Sequence, residues 1–312
     1  MDLLSDAIAA VRIGRPTSNR LRAGDEWCYR FAPYEGAGFH VLLRGSGWLI
    51  GPGGSPVPLS AGDAVLVPHG GEHTLSSRPD GTGALPFEAA VADPAGRTEF
   101  LCGKYRLSRA RRHPVLATLP EVLHIPARIG SHPELRAAID LLGGELAANR
   151  PGSATVLAGL LDLLLVYLLR AWLAENPGPG WPEALRDPAI AAALEALHAN
   201  PEAQWRSEDL ASRVGLSRAT LNRRFTTLTG YPPMAYLTWW RLTTAARLLR
   251  DTELPLPSIA AKVGYGSPFA FSHAFKREFG VAPGGYRLEP RREHPGSRRG
   301  PAPDQPAKLH RM

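Results

Sequence analysis

The sequence is poor in cysteine and lysine, and it has no long uninterrupted apolar run. Its two cysteines, Cys28 and Cys102, are too few for a disulfide framework and fit a reducing compartment. Its lysines are Lys104, Lys262, Lys276 and Lys308, against 32 arginines. That ratio reads as coding bias, so arginine abundance alone indicates no function. The most apolar stretch, LLDLLLVYLLRAWL from Leu160 to Leu173, is interrupted by Asp162 and Arg170. It is shorter than the roughly 20 residues a membrane span needs, which predicts a core or interface helix and no membrane partner. The opening MDLLSDAIAAVRIGR places acids where a secretory signal needs positive charge, so a cytoplasmic location is expected. With 44% hydrophobic and 21% charged residues, collagen-like and wholly disordered chains are excluded.

Over 312 residues the net charge is +7, a length that predicts about two domains. Residues 1–186 balance 18 basic against 18 acidic side chains, 187–290 carry 12 against 9, and 291–312 carry 6 against 2. A neutral N-terminal part followed by a basic C-terminal part predicts a sensing or assembling module joined to one that meets a polyanion. Between residues 38 and 107, short apolar segments alternate with Gly and Pro turns, as in FHVLLRGSGWLI and AGDAVLVPHGGEHTL, which predicts a small antiparallel barrel or sandwich. From Pro133 the period becomes helical. NPGPGWPEALRDP then marks a boundary. The expected division is 1–125, a strand-rich domain; 126–180, a helical linker or dimerisation segment; 187–290, a helical domain; and 291–312, a basic disordered tail.

The basic part contains a duplication. Ala211, Gly215, Ser217, Leu221, Phe225, Gly230, Pro233 and Tyr236 recur as Ala260, Gly264, Ser267, Phe271, Phe275, Gly280, Pro283 and Tyr286. Each copy has the logic of a helix-turn-helix. A small Ala permits close helix crossing, Gly supplies a left-handed turn, Ser caps the next helix, and Leu or Phe at the fourth and eighth positions after Ser face inward. The polar residues between them project outward, where Arg suits guanine and Asn suits adenine in a major groove.

WRSEDLASRVGLSRATLNRRF, YLTWWRLTTAARLL and IAAKVGYGSPFAFSHAFKREFGVAPGGYR resemble the double helix-turn-helix of AraC/XylS-type bacterial transcription regulators. The resemblance implies an all-α DNA-binding domain whose two recognition helices enter successive major-groove faces about 34 Å apart. It assigns DNA contact to Ser217, Arg218, Ala219, Thr220, Asn222, Arg223 and Arg224. In the second copy it assigns Ser267, Pro268, Phe269, Ala270, Ser272, His273 and Lys276, with His273 where Arg is frequent and apolar Phe269 beside it. The second helix is therefore expected to read bases weakly and to position itself on phosphates. The implied partners are double-stranded DNA, RNA polymerase and a second copy of the chain, with activation favoured over repression. Leu161, Leu164, Leu165, Leu168, Leu169 and Trp172 form one apolar stripe, read either as a dimer face or as a core.

The strand-rich segment resembles the cupin-type barrel of one AraC subgroup, through FHVLLRG, AGDAVLVPHGGEH and Leu101-Cys102-Gly103. The whole is then a multidomain α+β chain: cupin-like β-barrel, helical linker and double helix-turn-helix. A cupin enzyme needs an HxH-type ligand set, whereas His40 stands alone with Arg44 and Ser46 nearby, so catalysis is not expected. His40, His73 and Cys102, with His69 in reserve, form a candidate zinc or other transition-metal set. Cys102 resembles the position of a cysteine in AraC relatives that respond to reactive chlorine. Cys102, Cys28, His40 and His73 are accordingly the effector or redox candidates. Such a sensor needs an exposed thiol whose pKa is lowered by a cation, His73 or Lys104 here; a buried structural thiol is the alternative. The rival readings are a metal-dependent cupin enzyme with a DNA-binding appendage and a nonspecific binder acting through its tail.

Overall fold

The computed structural model describes residues 4–6, 8, 15–107, 113–148 and 150–288, so the tail expected over 291–312 lies outside the described residues. Ten strands are described: β1 Thr17–Ala23, β2 Cys28–Phe31, β3 Ala37–Arg44, β4 Ser46–Ile50, β5 Pro56–Ser60, β6 Ala64–Val67, β7 His73–Ser76, β8 Leu85–Pro86, β9 Thr98–Tyr105 and β10 Leu123–Ile125. They form two five-stranded sheets, ordered β1-β9-β3-β6-β10 and β5-β4-β7-β2-β8. The expected barrel is thus an open sandwich of two facing sheets.

β3 explains the layering. Its residues Ala37–Leu42 are all buried, which requires cover on both faces of its sheet. Leu42 points with Trp27, Tyr29, Val65, Leu75, Phe100 and Cys102 into the core between the sheets. Phe39 and Val41, one residue out of phase, join Leu66, Leu101 and Tyr105 in a second core on the outer face. Helices cover that face.

The helices are α1 Pro114–Ala117, α2 Pro133–Ala148, α3 Ser153–Glu175, α4 Trp181–Ala184, α5 Pro188–Ala199, α6 Ser207–Arg213, α7 Arg218–Thr229, α8 Pro233–Asp251, α9 Leu256–Lys262, α10 Pro268–Phe279 and α11 Pro283–Leu288. α3 is 23 residues long, and by length and composition it is long and apolar enough to cross a membrane. This corrects the reading of a run too short to span. In the fold one side of α3 packs in the protomer: Leu161, Leu164, Leu165, Leu168 and Leu169 are buried in the same core as Phe39 and Tyr105. Of the two readings of the stripe, dimer face or core, these five leucines take the second, with Trp172 half-buried at its end. The large apolar side chains left exposed on α2 and α3 are Leu141, Val156 and Leu163.

That core continues without interruption through Ile190 and Leu194 of α5 into Leu210, Leu221, Phe225 and Tyr236. The first helix-turn-helix is thereby packed as one body with the sandwich and its helices. The second has a core of its own, made by Ile259, Phe271 and Phe275 with Leu242, Ala245, Ala246 and Leu249 of α8. α8 runs through both. At 1.5 Å rise per residue its 19 residues span about 28 Å.

Candidate functional site

The two recognition helices are specified by their ends. Ser217 Oγ accepts from Thr220 N at 3.2 Å, and Ser267 Oγ accepts from Ala270 N at 3.1 Å, so each serine satisfies a first-turn amide. Gly215 and Gly264 take φ of 70° and 76°, the left-handed turn that precedes each cap, and Gly230 and Gly280 close the helices at 81° and 77°. Leu221 and Phe225 in α7, like Phe271 and Phe275 in α10, are buried.

Burying those positions leaves the candidate DNA contacts on the outer faces. Ser217, Arg218, Ala219 and Arg223 are exposed, and Thr220 and Asn222 are half-buried. Arg218 pairs with Glu208 at 2.8 Å, both largely solvated, an interaction weak enough to exchange for a phosphate or base. Arg224 differs. It is ion-paired to the buried carboxylate of Asp187, which also caps α5 by accepting from Ala189 N at 3.0 Å and Ile190 N at 3.2 Å. Arg224 locks α7 onto α5, a role in the fold that Arg223 beside it does not share. In α10, Ser267, Pro268, Ala270, His273 and Lys276 are exposed, Ser272 is half-buried, and Phe269 is 82% exposed.

In the sandwich, the ladder between β3 and β9 sets His40 directly opposite Cys102. His40 Nδ1 lies 2.9 Å from Cys102 Sγ, and His40 Nε2 lies 2.7 Å from His73 Nε2. His73 Nδ1 is 2.7 Å from Gly71 O. A carbonyl only accepts, so His73 Nδ1 carries its proton and its Nε2 is bare. His40 Nε2–H then donates to that nitrogen, leaving His40 Nδ1 to accept from the Cys102 thiol. The three predicted residues meet, but in series. Sγ and His73 Nε2 sit on opposite nitrogens of one imidazole, which diverge, so no single point is within ligand reach of all three. Among the described residues no group of three His, Cys, Asp or Glu is placed to hold a metal ion, and the zinc expectation is corrected accordingly.

The redox expectation also changes. Cys102 is 3% exposed, and burial pushes its thiol pKa well up. His40 is held well below its usual value by burial and by neighbouring His73. The pair is therefore a neutral thiol donating to a neutral imidazole, without the exposure or the cation required for a reactive thiolate. Lys104 instead lies 5.6 Å from the Tyr34 ring centroid. Cys28 is a half-buried free thiol 3.4 Å from Gly81 O. His69 Nε2 bonds Leu119 O at 2.8 Å.

A second buried series, missed in the sequence, joins the two modules. His113 caps α1, its Nδ1 accepting from Val115 N at 3.2 Å. Its other nitrogen therefore carries the proton and donates to Tyr236 Oη at 3.2 Å. Tyr236 Oη in turn donates to His198 Nε2 at 2.7 Å, and His198 Nδ1 donates to Asp6 Oδ2 at 3.3 Å. Trp181, Trp239 and Trp240 surround these rings. The available signal was the His113-Pro114 pair, a helix-start pattern; its partners are more than 80 residues away in the chain. Arg241 positions the second unit, donating to Pro201 O at 2.6 Å and Ala203 O at 2.7 Å.

A helix-backed β-sandwich packed onto a duplicated helix-turn-helix, with two Ser-capped helices whose outer faces are open to solvent, defines a DNA-binding regulator carrying a sensing module. A family model described as Cupin matches residues 2–174, and one described as Helix-turn-helix domain matches residues 210–289. A putative AraC-like transcription regulator of Streptomyces lividans is 35% identical over 302 residues, covering 93% of this chain and 99% of that protein. The RCS-specific HTH-type transcriptional activator RclR of Escherichia coli K12 is 32% identical over 253 residues, covering 80% and 83%. The DNA-binding domain of AdpA, solved in complex with a target DNA, aligns at 37% identity and TM-score 0.31 over 32% of this chain and 90% of that one. The chain belongs to the AraC-type transcription regulators with an N-terminal cupin domain. Its relatives are regulators rather than enzymes.

Proposed function

We propose that this protein is a cytoplasmic, sequence-specific transcription activator that binds DNA as a homodimer, contacts RNA polymerase, and answers a small-molecule or redox signal received in its cupin module. The observation that carries the reading is the pair of Ser-capped helices, whose outer faces hold Arg218, Thr220, Asn222 and Arg223 in the first and Phe269, His273 and Lys276 in the second. The first set can donate to base edges, Arg to guanine and Asn to adenine. The second offers a ring for apolar contact and a single lysine for phosphate, so it contributes position more than sequence. The exposed Leu141, Val156 and Leu163 support self-association on the outer face of α2 and α3. Two DNA domains held together gain affinity through effective concentration.

The signal is assigned to the Cys102–His40–His73 series. Because that thiol is buried and protonated, the oxidant in question is small and uncharged. An uncharged peroxide that transfers one oxygen to Sγ, leaving as alcohol or water, converts the thiol to a sulfenic acid; the added oxygen has no room in the 2.9 Å contact with His40 and pushes the two residues apart, which disturbs β3 and β9, the strands that support α2 and α3.

The test is genome-wide footprinting with and without oxidant, followed by Arg223→Ala. The expected result is a discrete operator, with the variant losing about 1–3 kcal/mol of discrimination at one base pair. Uniform weakening on all sequences would reduce Arg223 to a phosphate contact.

A further inference from the structure

A cleft of about 660 Å³ lies where α3, the 176–182 segment and α7 converge, a size that suits a small ligand. Thr118 reaches it from the cupin module, Trp172 and Glu175 from α3, Gly180 and Trp181 from the connecting segment, and Leu228 from α7. Among the described residues Glu175 is the one formally charged side chain lining it, and Oε1 of that carboxylate accepts from His132 Nε2 at 2.9 Å. Both helices meet the cleft at their C-terminal ends, where unpaired carbonyls carry partial negative charge. The fold already draws a cation to one of these ends, because Arg186 donates to Leu173 O at 2.6 Å. At the other end, the amide that would complete the Leu228 carbonyl belongs to position 232, a proline without an N–H. That oxygen faces the cleft wall, 3.9 Å from where a side chain at Gly180 would begin. Trp181 is buried with its indole N–H unpartnered.

We propose that this cleft binds an organic cation with an aromatic body. The Glu175 carboxylate, the helix-end carbonyls and the indole faces all favour positive charge. The site has a route to the DNA domain. Trp181 lies 5.4 Å from His113 and 6.1 Å from Tyr236 between ring centroids, so an occupant touches the cluster that joins the modules. A ligand that binds one arrangement of that junction better than another shifts their balance. This site is separate from the Cys102 series and meets the first recognition helix at its C-terminal end, away from the residues Ser217–Arg223 that carry the DNA reading; it stands or falls independently of both.

The probe is choline phenyl ether, which carries a quaternary ammonium, an ether oxygen and a phenyl ring. It is titrated by calorimetry into the full-length protein beside its uncharged carbon isostere, 3,3-dimethylbutyl phenyl ether. Saturable one-to-one binding of the cation is expected, with at least about tenfold weaker binding of the isostere. Glu175→Gln, which keeps volume and still accepts from His132, is expected to weaken the cation about tenfold while leaving thermal unfolding unchanged. Equal affinity for the isostere, unchanged affinity in Glu175→Gln, or no saturable binding of the cation overturns the proposal.

Discussion

Tyr236 and Tyr286 occupy the same position in the two repeats, which provides a control within one chain for the junction between modules. Tyr236 Oη accepts from His113 and donates to His198, and all three residues are buried. Tyr236→Phe removes one oxygen and strands both a donor, His113 Nε2–H, and an acceptor, His198 Nε2. A buried polar group without a partner costs about 1–3 kcal/mol, so the loss is roughly 2–6 kcal/mol. Tyr286 Oη only accepts from Arg250 at 2.9 Å, and both side chains are partly exposed, so water replaces the lost partner. Tyr286→Phe then costs about 0.5–1.5 kcal/mol. Urea unfolding of the full chain, followed by tryptophan emission, reads the difference directly because Trp181 and Trp239 adjoin Tyr236. A Tyr236→Phe loss below about 1 kcal/mol, or one equal to that of Tyr286→Phe, would refute the series of hydrogen bonds.

The turn glycines differ in the same way. Gly215→Ala meets open space and bears only the strain of its φ, about 1–2 kcal/mol, whereas a Cβ at Gly264 would lie 2.8 Å from Pro201 O and 2.7 Å from Arg241 Nη2. Gly264→Ala should therefore lower the unfolding midpoint further than Gly215→Ala, and equal shifts would count against the packing of the second unit on the first. Burial lowers the pKa of His40, His73, His113 and His198, so each prefers its neutral form when folded. Their stabilisation is complete above the ordinary value of 6.5 and is lost as pH falls below it. Between pH 7.5 and 5.5 each loses at most about 1.4 kcal/mol, roughly 5 kcal/mol together; denaturant midpoints that are flat over that range would contradict neutral buried imidazoles. In thiol labelling of the native chain by a neutral maleimide, half-buried Cys28 should react at least about tenfold faster than Cys102, with equal rates in urea. Faster labelling of Cys102 would overturn its assignment as a buried protonated donor.

What could be read from the sequence was local. Ser217 and Ser267 announce helix starts because a hydroxyl two or three residues before a free amide caps it whatever surrounds them, and Gly215 and Gly264 announce turns because φ is a property of one residue. The duplicated helix-turn-helix, and with it the AraC-type family, follows from such signals recurring at a fixed offset. The strand-rich module was also legible, though whether its sheets close into a barrel was not, since closure depends on which strands pair at the edges.

Tertiary structure decided the rest. The Leu161 to Leu169 stripe proved to be core rather than dimer face because periodicity shows that a helix has an apolar side but not what covers it. Arg224 looked like its neighbour Arg223 until the packing of α7 on α5 set Asp187 beside it. His40, Cys102 and His73 were found as a group, yet only the β3–β9 register arranged them in a line of hydrogen bonds instead of around a metal. The Asp6–His198–Tyr236–His113 series left almost no trace in the chain, because its members are held together by the junction of two modules and by nothing local to any of them.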